Sequence, residues 1–259
     1  MVARQEAGEL TPATPAPEAA PGASPEAPAT APLDYEEEGW AAGLRVVVGI
    51  DEAGLGPVAG PVMVGAVALH PGQRFEGCTD SKQVSPSRRE KLARRIRAES
   101  LAWRVAAAST REIERLNVRA ATIVAMRRAL DRLALPAELV LVDGNPVPEL
   151  GEHRSIVGGD RASHSIACAS ILAKVTRDRL MRRLDARYPL YGWASNKGYR
   201  TREHMEAIRR HGPTPHHRIT FQGVLQTELE FTPAPDPAPA PTSDPRRDPQ
   251  RDPRRDPEV

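Results

Sequence analysis

An α/β fold, a sheet flanked by helices with a helical C-terminal part, follows from three features of the sequence. Two β-forming runs lie close together, at residues 46–50 and 62–69. Short apolar runs then alternate with helical periodicities, and from about residue 163 the pattern is almost wholly helical. Strands first, strand–helix alternation next and helix last is the order of a sheet with helices packed on it.

The elements follow in chain order. Residues 46–50 ("VVVGI") and 62–69 ("VMVGAVAL") read as strands joined by a Gly/Pro turn. The stretch 85–100 ("SPSRREKLARRIRAES") reads as a helix with Ser85 as N-cap and Pro86 at its first position. A short strand is expected at 103–107. Within 117–133, Ile123, Met126, Leu130 and Leu133 recur at helical spacing behind the capping Asn117. The run "LVLV" at 139–142 is continuously apolar, which suits a strand buried on both faces, and 155–157 supplies a fifth short strand. The longest helix spans 163–188, with Ile166, Ser170, Ala173, Leu180 and Leu184 near one face, and Pro189 stops it. A last helix runs from the capping Thr201 to Gly212.

The two ends are unlike this core. Residues 1–43 are dominated by Ala, Pro, Glu and Thr, and residues 232–259 end in Asp-Pro-Arg-Arg-like repeats. Such segments carry too few large apolar groups to offset ordering entropy, so both are expected to be disordered, leaving 44–231 as one domain. The net charge of +2 hides a basic core offset by the acidic N-terminal stretch. Basic clusters such as "RREKLARRIR" suit phosphate, although a solvated helix face gives the same letters. The two cysteines, Cys78 and Cys168, lack metal-type spacing and read as structural thiols of a reducing compartment. No apolar run approaches a membrane span and no secretory leader is evident, so a cytoplasmic protein is expected.

The chemistry gathers at strand ends. Asp51 and Glu52 end the first strand, Asp143 ends "LVLVD", and Asp160 follows "IVGG". An acid after a strand is ordinarily a turn or cap residue; three such stations in one chain are harder to explain as independent turns. Converging carboxylates repel one another unless a cation shares their site, and oxygen donors suit hard Mg2+ or Mn2+. Asp178, flanked by Arg177 and Arg179, reads as an ion-pair residue instead. The turn Gly54-Leu55-Gly56 brings bare backbone close to a ligand, where it could read a 2′-hydroxyl, though a tight hairpin would also use glycine.

Taken in order, "GIDEAGLGPVAGPV", "DSKQVSPSRRE", "LVDGN", "GGDRASHSIACASILAKVTRDRLM" and "YPLYGWASNKGYRTREHMEAIRRHGPTPHHRITF" resemble the motif series of ribonuclease HII, from about residue 46 to 224. The resemblance implies a ribonuclease H-like fold with a five-stranded mixed sheet. It also implies two-metal-ion endonucleolytic cleavage, leaving 5′-phosphate and 3′-hydroxyl ends, of the RNA strand in RNA–DNA hybrids and of ribonucleotides embedded in duplex DNA. By the same resemblance Asp51, Glu52, Asp143 and Asp160 are metal-binding and catalytic acids. Tyr199, otherwise readable as a core aromatic, stacks at the RNA–DNA junction, and Lys82 and Lys174 stand near phosphates. Gly54, Leu55 and Gly56 form the nucleic-acid-reading turn of a monomeric enzyme. Leu55 departs from the family, which usually has arginine between the glycines; it cannot supply a charge-assisted phosphate contact. That departure motivates an alternative, a hybrid-binding module with little turnover, which the intact acids and Tyr199 oppose.

Overall fold

The computed structural model describes residues 29–225; residues 1–28 of the expected N-terminal disorder, all of the expected C-terminal disorder at 232–259 and the last residues of the expected domain, 226–231, lie outside the described residues. Strands β1 (Val47–Ala53), β2 (Val62–Ala68), β3 (Ala102–Ala108), β4 (Leu139–Asp143) and β5 (Arg154–Ile156) form one mixed sheet in the order β3-β2-β1-β4-β5. β1 is antiparallel to β2 and parallel to β4, so the central strand joins the two halves.

The helices are α1 (Asp34–Ala41), α2 (Pro86–Glu99), α3 (Thr110–Leu116), α4 (Val118–Asp131), α5 (Gly159–Ala162), α6 (His164–Arg187), α7 (Trp193–Asn196) and α8 (Arg202–His211). The expected caps are present: Ser85 accepts from Arg88 N–H, Asn117 from Ala120 N–H and Thr201 from His204 N–H. α3, which the sequence reading passed over, begins with a Ser109/Glu112 capping box.

One sheet face, carrying Val48, Ile50, Val64 and Val142, packs with Ile113, Ala125 and Met126 of α3 and α4. The opposite face receives α6. There a Cβ on Gly49 would lie 2.3 Å from the Ile166 nitrogen, and one on Gly65 would lie 2.3 Å from the Ala169 carbonyl oxygen. The two glycines therefore let the helix backbone sit directly on β1 and β2. Every residue from 163 to 173 is buried, because α6 also packs against α2. A single apolar stripe is thus too narrow a description of this helix.

The expected disorder up to residue 43 needs correction. Residues 29–43 are ordered, and α1 with its lead-in packs on the core through the buried Ala31 and Leu33. Glu36 is fully buried and accepts from the Ser163 hydroxyl (2.5 Å), the Ser165 amide (2.8 Å) and the Ser165 hydroxyl (2.6 Å) at the start of α6. His164 completes the latch by bonding the Ala31 carbonyl and accepting from the Phe75 amide. Composition hid this because the anchor is one polar side chain meeting donors far away in sequence. Cys78 and Cys168 are free, buried and 3.6 Å apart at sulfur.

Candidate active site

The parallel register pairs Ile50 with Val142, so the next residues, Asp51 near the end of β1 and Asp143 at the end of β4, lie side by side. Strand alternation turns both toward the α6 face, while Glu52 turns the other way at the same sheet end. Asp160 enters from the first turn of α5, beyond β5. All four acids border one cleft, together with the 54–56 turn, Lys82, Lys174 and Tyr199. Every site residue expected from the sequence is therefore in one place.

The carboxylates are in an unfavourable setting. Burial holds Asp51 well above the usual carboxylate range; Glu52 and Asp143 add repulsion, while a hydrogen bond from Ser170 and the Glu52 amide (2.7 Å) act the other way. Glu52 is pushed up to about 7, by burial first and Asp143 second, against the pull of Lys82. Asp160 is raised by burial and then by Asp80 and Asp143. Asp143 accepts from the Gly159 amide at 2.6 Å, which ties the end of β4 to the start of α5. Among the described residues no three such groups are already gathered into a closed metal cage. An all-oxygen donor set that repels itself in a partly buried cleft fits hard divalent cations.

The basic residues differ in availability. Lys174 pairs with Asp178 at 2.9 Å, and Arg89 reaches the same carboxylate at 3.9 Å, so Asp178 is the ion-pair residue that its neighbours suggest. Lys82 is exposed, its amide held by Asp80. Tyr199 is 47% exposed, which excludes the core-aromatic reading. Leu55 is 41% exposed at the cleft edge.

Four residues bordering or supporting the cleft escaped sequence reasoning. The buried hydroxyls of Ser81 and Ser170 lie 3.0 Å apart behind Asp51. Arg177 and Arg218 are almost completely buried and bond backbone carbonyls of the β1–β2 connection. That connection is no tight hairpin: it wraps around these two side chains. Gly54, at φ +104°, is needed there because a Cβ would lie 2.2 Å from the Arg177 Nε. Nothing in residue type or spacing separates such arginines from the many on helix surfaces.

Residues 48–224 match the family model described as ribonuclease HII. The ribonuclease HII of Syntrophotalea carbinolica is 52% identical over 194 residues, covering 74% of this chain and 93% of that protein. That of Caldicellulosiruptor bescii is 46% identical over 190 residues, covering 73% and 92%. Among solved structures, ribonuclease H2 of Pyrococcus horikoshii superposes with a TM-score of 0.59 at 25% identity, covering 69% of this chain and 95% of that one. The ribonuclease HII of Archaeoglobus fulgidus, solved as a complex with PCNA, gives 0.57 at 25% identity, covering 68% and 95%. A family match across nearly all of the folded core, with relatives covered over more than nine-tenths of their own length, places this chain in the ribonuclease HII family, as a nuclease that hydrolyses phosphodiester bonds.

Proposed function

We propose that this protein cleaves the RNA strand of RNA–DNA hybrids endonucleolytically and also cuts at single ribonucleotides embedded in duplex DNA, leaving 5′-phosphate and 3′-hydroxyl ends. The observation that carries this reading is the shared cleft, where four carboxylates meet a turn of bare backbone and an exposed aromatic ring. Asp51, Glu52, Asp143 and Asp160 would hold divalent ions, Mg2+ or Mn2+. When bound, such ions polarise a phosphate and lower the pKa of water.

The remaining work falls to the chain itself. The Leu55 and Gly56 amides can donate to a ribose 2′-hydroxyl, which deoxyribose lacks. The Tyr199 ring offers a face on which a sugar or base can stack. Lys82 supplies charge for the phosphate backbone; Lys174, already paired with Asp178, contributes less. The test is cleavage of two labelled substrates, a full RNA–DNA hybrid and a duplex with one embedded ribonucleotide, in Mg2+, Mn2+ and EDTA. Cutting of both in metal, and of neither in EDTA, is expected. Tight binding without cutting under every condition would favour the binding-module alternative.

A further inference from the structure

Arg218 is fully buried, and its guanidinium lies over the Phe221 ring (5.1 Å to the centroid) while donating hydrogen bonds only to backbone oxygens. It donates to the carbonyls of Gly54 (2.7 Å), Leu55 (2.8 Å) and Gly60 (2.9 and 2.8 Å), all in the β1–β2 connection. Among the described residues no carboxylate faces it; its charged neighbour is Arg177, which bonds the carbonyls of Ala59, Pro61 and Lys197. Burying two like charges side by side is costly, and an apolar residue of similar size would fill the space more cheaply. The fork of donors does what an apolar side chain cannot: it holds three carbonyl directions at once.

Those directions determine where the amides go. There is no cis peptide bond among the described residues, and in a trans unit the N–H points opposite to the preceding C=O. The Gly54 and Leu55 carbonyls turn inward to Arg218, so the N–H groups of Leu55 and Gly56 turn outward. Among the described residues neither amide finds an acceptor, and both residues border the cleft. The wall beside them is fastened to the same frame. The Arg218 amide bonds Val58 O and the Val58 amide bonds Gly198 O, one residue before Tyr199. His204 donates from Nδ1 to the Tyr199 carbonyl, and its Nε2 accepts from Trp193 Nε1 and lies 3.2 Å from His217 Nε2.

We infer that Arg218 is a positioning residue for ribose recognition, aiming the Leu55 and Gly56 amides at the 2′-hydroxyl by holding the two preceding carbonyls on the inner side of the turn. This rests on the function proposed above, so the test must separate the two. Wild-type protein, Arg218→Lys and Arg218→Met are compared in EDTA for affinity toward a DNA duplex with one ribonucleotide and toward its all-deoxy counterpart. KM and kcat for the first duplex are then measured in magnesium, well below each variant's melting temperature.

Both variants are expected to lose most of the preference for the ribonucleotide duplex while all-deoxy affinity barely changes. KM should rise about tenfold, the equivalent of roughly one hydrogen bond, with a smaller change in kcat. Lysine keeps the charge but not the fork and decides alone should methionine fail to fold. Variants that lose melting temperature and active fraction but keep wild-type KM and preference would overturn the inference, leaving Arg218 a purely structural residue. Collapse of both variants to insoluble protein would do the same. A wild-type protein that cuts no ribonucleotide-containing duplex would instead remove the proposed function and this inference with it.

Discussion

On the sheet side of the cleft, Asp51, Glu52 and Asp160 have carboxyls raised by burial and by their acidic neighbours. On the side of the C-terminal helices, Arg177 and Arg218 bury guanidiniums against a ring of carbonyls, and His204 and His217, both lowered below the usual imidazole range by burial, sit in a hydrogen-bonded aromatic cluster. The acids lack a partner that the chain does not itself supply. The arginines and histidines are satisfied without one. A wall that is incomplete suits binding a cation, while a wall whose donors are all engaged suits holding a shape. Glu36 shows that a buried carboxylate is not in itself a sign of chemistry, because hydroxyl and amide donors at the start of α6 surround one of its oxygens.

The largest effect should come from emptying the acidic wall. Asp51→Asn or Asp143→Asn is expected to lower kcat about a thousandfold or more, since ion-assisted charge stabilisation is worth several kcal/mol. Hybrid affinity in EDTA should stay the same or improve, because a repelling charge is gone. Magnesium should raise the melting temperature of the wild type and not that of a variant carrying both Asp51→Asn and Asp143→Asn. Near wild-type turnover in both single variants would take the carboxylates out of the chemistry.

Next in size is the loss of the buried Glu36 carboxylate. Glu36→Ala strands the Ser163 and Ser165 donors and should cost about 3 kcal/mol in urea unfolding. Deleting residues 1–43 should cost more, as it also removes the buried Leu33. An unchanged unfolding midpoint in Glu36→Ala would show that the strap rests on the core without supporting it.

Acid should act on the two walls in opposite directions. Glu52, raised to about 7, takes up protons in the folded cation-free protein before the unfolded chain does. Its contribution to stability is therefore complete below its unfolded pKa near 4.5 and is lost as pH rises through 7. His217, lowered from 6.5 to about 4 by burial and then by His204, behaves in reverse. Its contribution is present above 6.5 and is lost as pH falls toward 4, roughly 3 kcal/mol in all. Urea titrations in EDTA should show wild type losing ground to His217→Gln as pH drops through this window. A stability difference independent of pH would show that His217 packs as a ring without titrating.

The smallest expected effect sharpens the boundary between the walls. Leu55→Arg places a cation at a half-exposed position beside the acids, where a phosphate contact should lower KM about tenfold with little change in kcat. That gain should shrink with added salt as counterion release weakens. Unchanged or poorer binding at low salt would mean that Leu55 serves by packing at the cleft edge.

The sequence by itself determined the sheet, four of its helices and the acids. Strand runs such as "VVVGI" and "LVLV" and caps such as Ser85 and Asn117 are local signals; Asp51, Glu52 and Asp143 sit near strand ends that the same signals mark, and Asp160 follows the last strand. Tertiary structure decided which charges are satisfied. Glu36 looked like part of an acidic tail until α6 supplied its donors, and Arg218 looked like any surface arginine until the loop at 54–60 closed around it. Tyr199 could be core or surface until the C-terminal helices left its ring at the cleft. The physical reason is range: strand and helix formation depend on neighbours a few residues away, whereas burial of a polar group is settled by partners that here lie 129 and 164 residues distant along the chain.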